Sequence, residues 1–179
     1  VLQFNEVTQR FTLDETEEGV LPVLFGDFSA PVKVDFSYSI EQLIFIAKHS
    51  ADGVSRWDAM QTLWSMLIKA QLNDPKGKLP EALIDTYRDW LLAPGQDLAL
   101  TAELLSIPSY DTLAGQYDQV DIDSLLQTRE RLQQSLARLL YSEFNTCYRS
   151  IPTESYQYNQ QQVAARQLKN VCLQYLVSV

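Results

Sequence analysis

Apolar residues recur at helical spacing through most of the chain, from Ser39 to its last residues. The i, i+3, i+4 pattern is typical of amphipathic helices, and Pro, Gly and Asn clusters separate the patterned segments. Seven helices are predicted, at about 39–49, 55–72, 80–92, 97–105, 109–116, 121–148 and 159–177. Short connections favour antiparallel neighbours, so the pattern predicts a mainly α fold: an antiparallel helical array of the HEAT or armadillo kind.

Start signals and apolar stripes define the predicted helices. Ser39 with Gln42 predicts a capping box for the first helix, and Ser55 with Asp58 predicts the start of the second. In the longest helix Glu130, Arg131, Arg138 and Glu143 are expected to face solvent. The predicted core stripes are Trp57, Met60, Trp64, Leu67, Ile68 and Gln71 in the second helix, and Leu125, Leu132, Leu136, Leu139, Leu140 and Cys147 in the longest.

Before Tyr38 the pattern favours extended structure. Four short strands are predicted, at Val1–Phe4, Gln9–Leu13, Val20–Phe25 and Val32–Phe36, with an acidic loop at 14–19. So few strands cannot form an independent sheet without further cover. We therefore expect residues 1–37 to be the closing strands of an incomplete β-sandwich domain, and 38–179 the first part of a helical-repeat domain. The last helix lacks a cap or polar end, so we expect a chain truncated at both ends.

Charge narrows the function classes. The net charge is −9, with 14 basic residues and a pI near 4.5. Nucleic acid is therefore not an expected partner, because phosphate contacts need clustered Lys and Arg. No apolar run approaches the roughly 18 residues of a membrane span, so no membrane partner is expected either.

Catalytic motifs are absent from the sequence. It contains no HExxH, CxxC, GxSxG or glycine-rich phosphate loop, and its single histidine, His49, cannot build a multi-histidine zinc site. His49 is expected to interact with the end of the first helix, and Asp121 and Asp123 to cap the start of another. Cys147 and Cys172 are expected to be buried thiols.

Four segments carry a family resemblance. Phe28-Ser29-Ala30-Pro31-Val32 and Ser55-Arg56-Trp57-Asp58-Ala59 resemble a strand and a helix start of the bacterial aminopeptidase N family of zinc metallo-aminopeptidases (gluzincin type). Residues 102–109 (AELLSIPS) and 168–173 (LKNVCL) are similar to the family's AEILTLPS and LRNACL segments. The four lie in the family's order along the chain.

The resemblance implies a four-domain peptidase, of which this chain corresponds to the end of the β-sandwich domain and the start of the C-terminal helical domain. The family's HExxH helix, third zinc ligand, GAMEN segment and catalytic Tyr would all lie upstream. It thus implies no catalytic, metal or cofactor-binding residue in this chain, with zinc held elsewhere in the parent enzyme. The implied partners are the missing catalytic and β-sandwich domains and peptide substrates, in the bacterial cytoplasm.

The expected role is a junction and a helical wall or lid over the parent's active site. Trp57 is expected to pack into the core, and Arg56 or Asp58 to tie its helix to a neighbour. Pro31 restricts the direction of the preceding strand. An alternative is a free-standing helical-repeat module that binds a protein partner. The predicted junction residues are Phe28, Ser29, Ala30, Pro31, Val32, Arg56, Trp57 and Asp58.

Overall fold

The structure is a computed structural model and describes residues 5–12, 20–24, 26, 36–152 and 155–179. Its described part is helical, which confirms the mainly α prediction, and contains no strand. The helices are α1 (Ile40–His49), α2 (Gly53–Asn73), α3 (Glu81–Leu92), α4 (Leu98–Leu105), α5 (Tyr110–Ala114), α6 (Ile122–Leu139), α7 (Tyr141–Ser150) and α8 (Gln160–Leu176).

Two of the predicted strands are wrong where they can be checked. Residues 9–12 and 20–24 have no regular secondary structure. A strand is stabilised by a ladder of hydrogen bonds to a second strand, and the described residues offer no second strand. The predicted strand at 1–4, the acidic loop at 14–19 and nearly all of 32–36 lie outside the described residues.

Helix starts follow the capping signals, with one correction. The Ser39 hydroxyl accepts a hydrogen bond from the Gln42 backbone N–H, and the Gln42 side chain accepts one from the Ser39 N–H, as predicted. The predicted cap of α2 is wrong, because Asp52 caps it instead. The Asp52 carboxylate accepts from the backbone N–H groups of Val54 (3.2 Å) and Ser55 (2.8 Å), so the helix begins one turn before the Ser55 signal.

The predicted helix over 121–148 is two helices. Leu140 leaves helical geometry, with φ −121° and ψ 25°, and separates α6 from α7. The change of direction buries Leu140, Phe144 and Cys147 while α7 packs against α3 and α8. Leu139, predicted in the core, is 55% exposed because it lies on the outer side of this break.

The core runs through all the larger helices. Helix α2 packs on α1, α4 and α6, and α8 packs on α4, α6 and α7. Ion pairs tie α3 to its neighbours: Lys48 Nζ lies 2.8 Å from Asp89 Oδ2, and Arg88 Nε donates to Glu143 Oε1 at 3.1 Å. Glu143, predicted to face solvent, is therefore largely covered, with its side chain 17% exposed.

Candidate functional site

The described part of the predicted junction is the first turns of α2. Arg56, Trp57 and Asp58 lie there, next to the turn that connects α1 to α2. The segment Phe28–Val32 lies outside the described residues, so its predicted role remains a prediction.

Arg56 ties α2 to two neighbouring helices, as predicted for Arg56 or Asp58. Its Nε donates a 2.7 Å hydrogen bond to the Ala47 carbonyl near the end of α1. Its guanidinium carbon lies 5.8 Å from the centre of the Trp90 ring on α3, within cation–π range. Partial burial lowers the pKa of Arg56, which nevertheless remains a cation. The residue therefore satisfies a carbonyl at a helix end and fixes the α1–α2–α3 corner.

Trp57 does not pack into the core, and that prediction is wrong. Its side chain is 41% exposed, whereas Trp64 on the same helix is fully buried against Tyr87. The two tryptophans are seven residues apart and so about 10.5 Å apart along the helix axis. Trp57 therefore lies about two turns nearer the start of α2 than the buried Trp64–Tyr87 pair, and its ring borders solvent.

Asp58 and Tyr38 line a small cavity between α1, α2 and the preceding segment. Its volume is about 140 Å³, and the Tyr38 hydroxyl donates to the Pro22 carbonyl at 3.1 Å. Burial raises the pKa of Asp58. Burial also raises the pKa of Tyr38, and the nearby Asp58 charge adds to that effect. Both groups therefore sit where their charged forms are disfavoured.

A wider groove of about 470 Å³ lies on the other side of Asp58 and Thr62. Trp57 and Met66, which are 41% and 38% exposed, supply its apolar surface. Here the "α2 face" means Trp57, Asp58, Gln61, Thr62 and Met66. Half-exposed aromatic and Met side chains beside amide and hydroxyl groups are typical of protein-contacting surfaces rather than of catalytic sites.

Behind the α2 face, a buried polar network joins four helices. Leu105 ends α4, and its carbonyl accepts hydrogen bonds from Tyr175 Oη (2.7 Å) and Tyr87 Oη (3.3 Å). Trp64 Nε1 donates to Tyr87 Oη at 2.9 Å. Burial raises the pKa of both tyrosines, so their hydroxyls stay protonated and act as donors. The network satisfies a helix-end carbonyl inside the core and links α2, α3, α4 and α8.

The remaining titratable candidates have structural roles. Asp121 caps α6, accepting from the Ser124 hydroxyl and the Asp123 N–H, and these bonds, the Ser124 one first, lower its pKa. His49 lies in the last turn of α1 beside the Phe45 ring, and Cys147 and Cys172 are buried on α7 and α8, as predicted.

The zinc that the family resemblance implies does not fit this part of the molecule. Within the described ranges, no three His, Cys, Asp or Glu side chains come together in a way that could hold a metal ion. The chain has one histidine, and both thiols lie inside the core, away from solvent. No helix among the described residues is long and apolar enough to span a membrane.

Sequence reasoning missed the residues that only the tertiary fold brings together. The groove on the α2 face needs Thr112 and Gln116, which lie about 50 residues along the chain from Thr62 and Ser65. Gln116 Nε2 donates to the Ser65 hydroxyl at 3.0 Å. Arg131, predicted to face solvent, is instead partly buried between α6 and the α2–α3 loop. Thr128 and Ser135 are its neighbours on the helix, and they are polar although they lie beside the leucine stripe. This pattern was the sequence signal that could have predicted the partial burial of Arg131.

A family model and known aminopeptidases match most of this chain. A family model described as "Domain of unknown function (DUF3458_C) ARM repeats" matches residues 40–179. Aminopeptidase N of Escherichia coli (strain K12) is 34% identical over 180 residues, which are 98% of this chain but 21% of that protein. Aminopeptidase N of Haemophilus influenzae is 31% identical over 182 residues, again covering 98% of this chain and 21% of the relative.

A solved structure agrees with these sequence matches. Legionella pneumophila aminopeptidase A, crystallised in complex with aspartic acid, superposes with a TM-score of 0.77 and 27% identity. The match covers 87% of this chain and 19% of the other. The chain thus spans about a fifth of the length of the proteins it resembles. The match to an ARM-repeat family agrees with the armadillo-like array predicted from the helical periodicity of the chain.

Proposed function

The chain belongs to the family of ARM-repeat domains that the DUF3458_C model describes. From its similarity to two aminopeptidases N, we propose that it is a non-catalytic region of a zinc-dependent aminopeptidase. In the parent enzyme, which removes amino-terminal residues from peptides, the region forms the junction to the preceding β domain and a helical wall over the active site. The chain alone is inactive.

One observation carries the proposal. The relatives align with 98% of this chain, but the aligned region is only 21% of their length. The aligned fifth contains no HExxH or other catalytic motif in this sequence. Both facts support the proposal that an enzyme of this kind keeps its chemistry in the other four-fifths and uses this region for shape and contacts.

The packing of the helices suits a wall. The buried network around the Leu105 carbonyl and the Arg56 hydrogen bond to Ala47 hold neighbouring helices in one arrangement. A rigid helical array beside an active site limits access to short peptides and excludes bulk water. The α2 face supplies an amphipathic surface for contact with another domain of the same polypeptide.

The proposal includes a domain boundary and a location. Residues 1–37 belong to a β-sandwich domain and 38–179 to the helical domain, and the start of the family match at residue 40 supports this boundary. The junction role of Phe28–Val32 is part of the same proposal. The peptide-processing role and the cytoplasmic location rest on the resemblance to bacterial aminopeptidases.

Assay of the purified chain tests the proposal. Hydrolysis of an aminoacyl p-nitroanilide and bound zinc are measured side by side, with E. coli aminopeptidase N as the positive control. We expect no hydrolysis above the buffer rate and far less than one zinc per chain. Turnover comparable to that of the control, or stoichiometric zinc, would refute the proposal that the chemistry lies outside this chain.

A further inference from the structure

A second groove lies on a different side of the molecule, between the α2–α3 loop, α3 and α6. Its volume is about 400 Å³, within the usual range for small-molecule pockets. Leu79, Ile84 and Leu139 form apolar walls, and Gln71, Lys78 and Arg131 supply the polar groups. Gln71 Nε2 donates to the Gly77 carbonyl at 2.7 Å, which fixes the loop that carries Lys78.

Arg131 is under-satisfied in this groove. Its Nε is the one buried side-chain nitrogen or oxygen, among the residues that the structure describes, without a hydrogen-bond partner. Among the described residues its guanidinium makes one hydrogen bond, a long one from Nη2 to the Thr128 hydroxyl at 3.4 Å. A buried guanidinium N–H that has lost water and gained no acceptor destabilises the fold, so the site is poorly optimised for stability alone.

The charge at the groove is opposite to that of the whole chain. The protein has a net charge of −9, yet the residues lining the groove include two cations and no acid. The ion pairs found in the described residues involve neither Lys78 nor Arg131. Asp74, on the same loop, directs its carboxylate to the Lys76 backbone N–H at 3.2 Å.

From these observations we infer that the groove binds a small organic carboxylate with an aliphatic body. The Arg131 fork donates to the carboxylate, since a planar guanidinium matches two carboxylate oxygens. Lys78 adds a second positive charge, and the aliphatic part covers Leu79, Ile84 and Leu139. An inorganic anion would leave those apolar walls in water. The inference does not depend on the proposed peptidase role.

The inference is tested by titrating the full chain with N-acetyl-L-leucine and monitoring the titration by NMR at constant ionic strength. The Arg131 Nε–H signal is assigned by its loss in Arg131→Gln. We expect that signal to shift saturably with N-acetyl-L-leucine, and the dissociation constant to be at least tenfold higher for N-acetyl-L-leucinamide and for inorganic phosphate. Equal affinity for the amide or for phosphate would overturn the carboxylate assignment.

Variants separate the groove from general surface charge. Lys78→Gln, an exposed loop change, is expected to weaken binding at least tenfold, and Arg131→Gln to abolish it. Arg138→Gln, an exposed arginine on the same helix, should bind like the unaltered chain. Unchanged affinity in Lys78→Gln, or equal losses in Lys78→Gln and Arg138→Gln, would refute the site even if Arg131→Gln fails to fold.

Discussion

Removal of the Tyr87 hydroxyl is expected to destabilise the chain more than removal of the Tyr175 hydroxyl, although Tyr175 makes the shorter bond. Both hydroxyls donate to the Leu105 carbonyl, at 3.3 Å from Tyr87 and 2.7 Å from Tyr175. Tyr87 also accepts the Trp64 indole N–H at 2.9 Å, and Trp64 is fully buried. The two substitutions therefore leave different groups without a partner.

The magnitudes follow from those groups. In Tyr175→Phe, the Leu105 carbonyl keeps its bond from Tyr87, so the loss is about 1 kcal/mol, the net value of one hydrogen bond. In Tyr87→Phe, the carbonyl keeps Tyr175, but the Trp64 N–H is left buried and unsatisfied. An orphaned donor adds its desolvation penalty, so the total loss is about 2–3 kcal/mol.

Equilibrium unfolding in urea, followed by circular dichroism, measures both losses. Tyr158→Phe serves as the control, because Tyr158 is 87% exposed and its change should stay within about 0.5 kcal/mol. In a double-mutant cycle, Tyr87→Phe in a Trp64→Phe background should cost about 1–2 kcal/mol less than in the unaltered chain. A Tyr175→Phe loss equal to or greater than the Tyr87→Phe loss, or no coupling in the cycle, would refute the reasoning.

Three further predictions use the same unfolding measurement. Trp57→Ala should cost about 1–2 kcal/mol and Trp64→Ala about 3–5, because only the latter empties a buried site; equal losses would contradict the exposure of Trp57. The Ser142 hydroxyl and Arg88 hold the pKa of Glu143 below its ordinary value, so its contribution is present above about pH 4.3 and lost as pH falls through the folded-state pKa. Glu143→Gln should therefore flatten the loss of stability in acid, and an unchanged pH profile would argue against the ion pair. Arg131→Met should raise the free energy of unfolding by about 1 kcal/mol by removing the orphaned N–H, and a loss of stability would contradict that origin.

Local signals account for the parts of the fold that the sequence predicted. Ser39 and Gln42 are close in the chain, so their capping box can be recognised from the sequence without any tertiary information. No Pro or Gly marks the break at Leu140 in the sequence, because the break arises from the packing of α7 against α3 and α8. The Asp52 cap was missed because Ser55 offered a competing signal three residues later.

The candidate sites likewise contain features that local sequence signals predicted and features that depend on the tertiary fold. Arg56 or Asp58 was predicted to tie its helix to a neighbour from its place in the first turns of α2, and Arg56 does so. The exposure of Trp57 and the partial burial of Arg131 depend on which distant residues cover them, and periodicity within one helix does not report that. Both grooves pair segments about 50 residues apart, as with Lys78 and Arg131, so they became visible only in the folded chain.

The most direct test of the central claim is the peptidase activity of a chimera. In E. coli aminopeptidase N, the region that aligns with this chain is replaced by the chain itself, and aminoacyl p-nitroanilide hydrolysis is compared with a deletion of the same region. If the chain is a helical wall whose chemistry lies elsewhere in the parent, the chimera should be active and the deletion should not. A folded chimera with no more activity than the deletion would contradict the account.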